Sequence, residues 1–290
     1  MQHIGFGLWN WIAVIVYLVA MLLVGAYFTK RASQDTDSFF KASGRLPSWA
    51  IGFSIYATTL SAITFMSTPE KAFLTDWAYI AGNIAIVAII PILIAFYVPF
   101  FKKLHVTSAY EYLEARFGPS IRLIGSLLFI IFHLGRIAIV IYLPTLAITA
   151  VSDINPYIVA SLVGILCILY TFLGGFEGVV WSDFIQGVIL LGGALLIIII
   201  GAFEIKGGFG TIVHDAIANK KILSADNWKL NSAAAAIPII FLGNIFNNLH
   251  QYTASQDVVQ RYQASESMEE TKKSLWTNGV LALISAPIFY

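Results

Sequence analysis

The stretch ATTLSAITFMSTP, residues 57–69, decides how this chain is read. It lies in an apolar run, yet Thr58, Thr59, Ser61, Thr64, Ser67 and Thr68 crowd into it, and Pro69 closes it. A membrane helix tolerates one or two hydroxyls, because each bonds back to the carbonyl one turn earlier. So many of them ahead of a proline predict an interrupted helix. Interrupted backbone bares N–H and C=O groups, and lipid permits this only where the break faces protein or a wet cavity.

Composition makes lipid the right reference. The 290 residues are 58% hydrophobic and 11% charged, whereas soluble chains are about 25% charged. The apolar residues form blocks near the roughly 20-residue length that crosses a bilayer. Eight segments are expected, at roughly 8–28, 49–67, 76–101, 120–150, 157–174, 179–203, 233–252 and 275–290. The chain reads as an all-α integral membrane protein with about eight transmembrane helices. Its first segment has no basic residue before it and no small-residue cleavage pattern after it, so it reads as a retained span.

Alternating the spans across the bilayer gathers Lys30, Arg31, Lys41, Arg45, Lys102, Lys103, Arg116, Arg122, Arg261, Lys272 and Lys273 on one side. Lys71, Lys206, Lys220, Lys221 and Lys229 fall on the other. The excess of positive charge predicts a multi-pass protein with its basic loops in the cytoplasm and its N-terminus outside. Within the outer loop, TIVHDAIANKKIL reads as a short surface helix. A net charge of +1 gives no footprint for nucleic acid. The lone Cys167, in an apolar run, reads as structural. The sequence stops at LALISAPIFY inside the eighth apolar run, which predicts the N-terminal portion of a longer protein.

Polar residues inside spans carry the functional information. Arg136 sits near the middle of the fourth span, where a guanidinium costs at least about 2.5–3.5 kcal/mol. It stays charged at any ordinary pH. It therefore needs a carboxylate of the protein, carbonyls, or an anionic ligand whose carboxylate suits its planar fork. Asp183 poses the converse question: it pairs with a cation of the protein or binds a transported one. Glu177 lies nearer the loop, within reach of water. His133, one turn from Arg136, reads as a packing residue. The seventh span, IPIIFLGNIFNNLHQY (237–252), is a second breakable segment, with Asn244 and Asn248 on one helical face. Asn248 is its candidate for a substrate site. Interrupted spans at matching positions in two repeats point to a transporter site. Segments two and seven stand five apart, as two five-helix inverted repeats require. No nucleophile–base pair, metal-ligand spacing or phosphate loop stands out, so no enzyme is expected. The GG pairs at 174–175, 192–193 and 207–208 read as tight turns or close helix packing.

GGFEGVVWSDFIQG (174–187) and TASQDVVQRY (253–262) resemble signatures of the sodium/solute symporter family. ATTLSAITFMS, VTSAYEYLEARF and FHLGRIAI are similar to stretches of its bacterial sodium/sialic acid symporters, and the resemblance covers essentially the whole chain. It implies a LeuT-type fold of two inverted repeats: an extra leading helix at 8–28, a first five-helix repeat at 49–204, an outer loop at 205–232, and an incomplete second repeat at 233–290. It implies sodium-coupled uptake of sialic acid across a bacterial inner membrane, with more than one sodium ion. By the same resemblance, the Ala57 and Leu60 carbonyls hold sodium, and Thr59, Ser61, Thr64 and Arg136 bind the acid. Asp183 serves a second sodium, and Tyr79 and Asn83 face the substrate. Thr58, Ser67 and Thr68 bond back to the chain. Asn83 departs from the glutamine expected there, and a shorter amide would change the pose or the preference among sialic acids. The family's remaining sodium ligands, Ser or Thr on the eighth core helix, lie beyond Tyr290. Alternatives are symport of another carboxylate such as proline or pantothenate, a membrane sensor, and a non-functional fragment.

Overall fold

The computed structural model describes residues 7–104, 108–223, 225–230 and 236–290. The leading helix α1 (Leu8–Ala32) ends on Lys30 and Arg31, cations at the negative end of its dipole. A short helix α2 (Thr36–Lys41) follows, capped by the Asp35 carboxylate, which accepts the Ser38 N–H at 2.6 Å.

The second span is broken into α3 (Ser48–Thr59) and α4 (Ala62–Leu74), bent by 58°. Leu60 (φ −89°, ψ 126°) and Ser61 (φ −141°, ψ 172°) take extended backbone between them. Ser61 restarts the helix by accepting the Thr64 N–H on its hydroxyl at 3.4 Å. The break is therefore where the hydroxyls predicted it, but Pro69 does not make it. Pro69 lies inside α4, and the span continues to Leu74 rather than ending near 67.

The third span joins a 3₁₀ turn (Trp77–Ile80), α5 (Ala81–Ile92), a π-helical turn (Leu93–Tyr97) and α6 (Val98–Leu104). The π turn follows Pro91, whose missing N–H loosens the ladder there. A short α7 (Glu111–Phe117) leads into α8 (Pro119–Val151). Next comes α9 (Pro156–Glu204), whose 49 residues would reach about 70 Å if straight. Gly175 divides it with φ 55° and ψ −159°, between the two spans expected from sequence. A Cβ there would lie 2.9 Å from the Ala32 Cβ and 3.1 Å from the Phe39 carbonyl oxygen, so both backbone and space demand glycine. Gly192 and Gly193, by contrast, meet nothing within 4 Å, so close packing does not account for that pair.

Beyond it lie the surface helix α10 (Gly208–Ala218), then α11 (Ile237–Ala254), α12 (Gln256–Ala264) and α13 (Met268–Phe289). The expected start of the seventh segment, at 233, falls outside the described residues. The eighth helix begins earlier than the apolar pattern indicated, because Ser267 caps it and a polar first turn extends it. Among the described residues, α1, Trp77–Leu104, α8 and α9 are each long and apolar enough to cross a membrane, as is the bent α3–α4 pair.

The core forms where α3, α5, α12 and α13 meet: Ile51, Ile55, Ile89, Ile90, Val258, Tyr262 and Leu275 are fully buried. Gly52 permits that contact, since a Cβ on it would fall 2.4 Å from the Ser274 carbonyl oxygen of α13. On the far side α1 lies against α9, with Gly25 pressed onto Tyr170. In contrast α8 stands at the periphery, with only Thr145 buried among its residues.

Candidate functional site

The break between α3 and α4 is the first component. Leu60 lies outside the helical ladder, so its carbonyl is free of the i+4 pairing that occupies carbonyls within a helix. The Ala57 carbonyl accepts the Leu60 N–H at 3.1 Å, as does that of Tyr56 at the same distance. The hydroxyls divide differently from the sequence expectation. Thr58 bonds back to the Ser54 carbonyl at 2.7 Å, as expected, but Thr59 also bonds back, to Tyr56 at 2.7 Å. Its proton is spent on the backbone, leaving its oxygen lone pairs. Ser67 and Thr68 show no back-bond among the described residues. They line a cavity of about 510 Å³ beside α4, together with Thr64, Lys71, Tyr79 and Tyr290. Lys71 holds its ammonium 5.0 Å from the Tyr79 ring centroid.

Arg136 reaches this break from α8. Its Nη2 donates to the Thr58 carbonyl at 3.2 Å, and its Nη1 lies 3.6 Å from the Asp257 carboxylate of α12. Two contacts leave most of a five-donor guanidinium uncommitted. His133 takes its place one turn before, with Nε2 3.9 Å from the same carboxylate and its ring against Phe129. The Asp257 carboxylate also accepts from Gln251 at 3.3 Å and from the Val258 N–H at 3.1 Å.

Asp183 has a protein partner. Arg261 of α12 donates to its carboxylate at 2.9 Å, and the Ser54 hydroxyl donates to the same oxygen. Arg261 also donates to the Ser54 oxygen at 2.9 Å and to the Asp257 carbonyl, beneath the Phe176 ring. Of the two sequence readings, pairing with a cation of the protein is the one this structure contains. A carboxylate on α9 only 20% exposed needs a counter-charge, and it receives one from α12. Glu177 is likewise paired, with Arg31 at 3.0 Å, rather than reaching water alone.

Asn83 and Asn248 occupy a different place. Asn83 donates to the Ala282 carbonyl of α13 at 3.4 Å and does not line the cavity with Tyr79. Asn244 bonds back to Ile240 at 2.8 Å, while Asn248, buried on the same face of α11, leaves its Nδ2 without a partner. An orphaned buried donor is the kind of group a ligand completes.

Sequence reasoning missed Asp257, Arg261 and Ser54. Arg261 was counted as a loop charge, yet it is 5% exposed. The signal was present: Asp257 and Arg261 are four apart in TASQDVVQRY, so on a helix they share a face. One points to Arg136 and the other to Asp183. The two signature stretches thus meet in space at the Arg261–Asp183 pair.

Comparison with known proteins bears on this geometry. The chain is 48% identical over all 290 residues to the sodium/sialic acid symporter SiaT of Proteus mirabilis, spanning 58% of that protein. It is equally similar to NanT of Aliivibrio fischeri, spanning 57% of it. The human sodium-coupled monocarboxylate transporter 1 is 29% identical over 98% of the chain, which spans 47% of that protein. A solved structure of a Na⁺-coupled sialic acid symporter, in a substrate-bound outward-open state with a novel Na⁺ site, superposes with a TM-score of 0.93 at 47% identity. That match covers 98% of this chain and 60% of the other. The all-helical LeuT-type fold expected from the sequence is therefore the fold observed. The sodium:solute symporter family model matches residues 39–288, and with the signature stretches meeting at one buried ion pair, the chain belongs to that family.

Proposed function

We propose that this chain forms the first repeat and the start of the second in a sodium-coupled symporter that takes up an anionic sugar acid, sialic acid, by alternating access. The chain spans a little under three-fifths of the length of the sialic acid symporters it matches. The observation that carries the reading is Arg136, which brings a partly uncommitted guanidinium to the hydroxyl-rich break of α3–α4. That arrangement suits a carboxylate, with the hydroxyls of Ser61 and Thr64 as further donors, and with Thr59 joining them once its hydroxyl turns from the Tyr56 carbonyl. Tyr79, Asn83 and Asn248 are proposed to face the rest of the substrate, Asn248 through its unpartnered amide.

Sodium is proposed to bind at the Ala57 and Leu60 carbonyls, where it would hold the break in shape for the acid. Coupling is then reciprocal, each ligand tightening the other. Asp183 is proposed to serve a second sodium, which requires Arg261 to yield its place beside the carboxylate. The protein is proposed to lie in the cytoplasmic membrane of a bacterium with its N-terminus outside. We assign residues 8–28 to the extra helix, 49–204 to the first repeat, 205–232 to the outer loop and 233–290 to the second repeat.

The relatives that carry monocarboxylates support a second reading, symport of a different carboxylate, because Arg136 suits any such group. One experiment separates the two. Proteoliposomes holding the protein from its complete reading frame are given a sodium or a potassium gradient. N-acetylneuraminic acid, lactate, proline and pantothenate are then compared for uptake. Sodium-driven accumulation of the sugar acid alone is expected; accumulation of another acid in its place would overturn the substrate assignment.

A further inference from the structure

The Asp257 carboxylate faces the guanidinium that the proposed function reserves for substrate. It comes from α12, a helix joined to the basic end of the molecule, where Gln260 donates to the Phe40 carbonyl and Lys102 to that of Ser265. Asp257 lies 3.6 Å from Arg136 and 3.9 Å from His133, both on α8. Among the described residues, the two ion pairs between α12 and peripheral α8 both run through this carboxylate. The link is loose. Its separation exceeds a hydrogen bond, Arg136 keeps 35% of its side chain exposed, and the His133 Nε2 is left without a hydrogen-bond partner. An acid in the first turn of a helix also has an ordinary role, favouring the positive end of the dipole. That role explains the Val258 N–H bond, but not why the carboxylate turns to α8.

We propose that Asp257 is a positioning residue that occupies Arg136 in the empty protein and is displaced by the substrate carboxylate, so that acid binding releases α12 from α8. The proposal rests on the carboxylate-clamp reading of Arg136. Asp257 faces the Nη1 corner of the fork, and an acid taken by the Nη1–Nη2 edge meets like-charge repulsion there, so the incoming acid and Asp257 compete for that edge although other donors stay free. The apparent affinity is lowered by the fraction of molecules in which Asp257 holds Arg136. The same helix also grips Asp183 through Arg261, whose Nη1 holds the Asp257 carbonyl. Loosening one end of α12 therefore disturbs the buried pair at the other.

The test uses the protein from its complete reading frame, in detergent with saturating sodium, and two probes: N-acetylneuraminic acid and its methyl ester. Asp257→Asn keeps the shape and removes the charge. It is expected to bind the acid on the order of tenfold tighter than wild type, with ester binding unchanged and turnover reduced. Asp257→Glu is expected to restore wild-type affinity. Unchanged or weaker acid binding by Asp257→Asn, where wild type prefers acid to ester, overturns the proposal and leaves the clamp standing. Wild type binding acid and ester equally overturns both. Hydrogen exchange on wild type needs no variant. Exchange across residues 256–264 should rise with the acid and not with the ester, and equal protection with both would also overturn the proposal.

Discussion

Two arginines, Arg136 and Arg261, each face an aspartate, and they do opposite things with the same fork. Arg261 is 5% exposed and holds Asp183 at 2.9 Å, with Ser54 and a carbonyl taking two more of its five donors. Arg136 keeps a third of its side chain open and stands 3.6 Å from Asp257. The first is a closely held pair between α12 and α9. The second is a looser one, placed at the break in α3–α4 where unpaired backbone collects. Burial and the closeness of the ion pair, rather than depth in the sequence of spans, separate an arginine that holds the fold from one open to a ligand.

The largest effect is expected from removing the buried arginine. Arg261→Met leaves the Asp183 carboxylate buried without its cation, a loss of about 3–5 kcal/mol. Thermal melting in detergent should fall sharply, and Asp183→Leu added to Arg261→Met should recover much of the loss. An unaltered melting temperature would show that the pair does not hold α12 to α9. An intermediate case sharpens the comparison. Arg31 pairs with buried Glu177 at 3.0 Å, but its own side chain is half exposed, so solvent screens the pair from the arginine side. Arg31→Ala is expected to cost about 1 kcal/mol, read as a small shift in the same melt. The smallest effect lies at the surface. The Asp35 carboxyl is held below its usual pKa by the Ser38 N–H it caps. A lowered folded pKa stabilises above the unfolded value of 3.8 and is lost as pH falls through the folded one. Asp35→Ala should thus be slightly less stable than wild type at neutral pH, and the difference should close in acid below that value. A gap that persists there would remove the cap as its cause.

Much of this was legible in the sequence. Hydroxyl crowding from Thr58 to Thr68 located a broken span, and the extended backbone falls at Leu60 and Ser61. Periodicity could not say which residue starts the new helix, so Pro69 looked like the breaker when the Ser61 cap does that work. Arg136 was identified by cost alone, since a permanent charge in a span must have a partner. The partner itself was hidden, because Asp257 lies 121 residues away and only folding brings α12 beneath α8. The same applies to Arg261, which a count of loop charges treated as solvated. Family resemblance gave roles to Thr59 and Asn83, but the side-chain bonds of both go to backbone carbonyls, a detail set by local rotamers and invisible to motifs.

That Arg136, and not the buried Arg261, receives the acid is tested most directly by sodium-dependent binding of N-acetylneuraminic acid to Arg136→Ala in the protein from its complete reading frame. The expected result is a protein that melts within a few degrees of wild type and has lost binding of the acid. Retained binding at wild-type affinity in such a folded variant would contradict it.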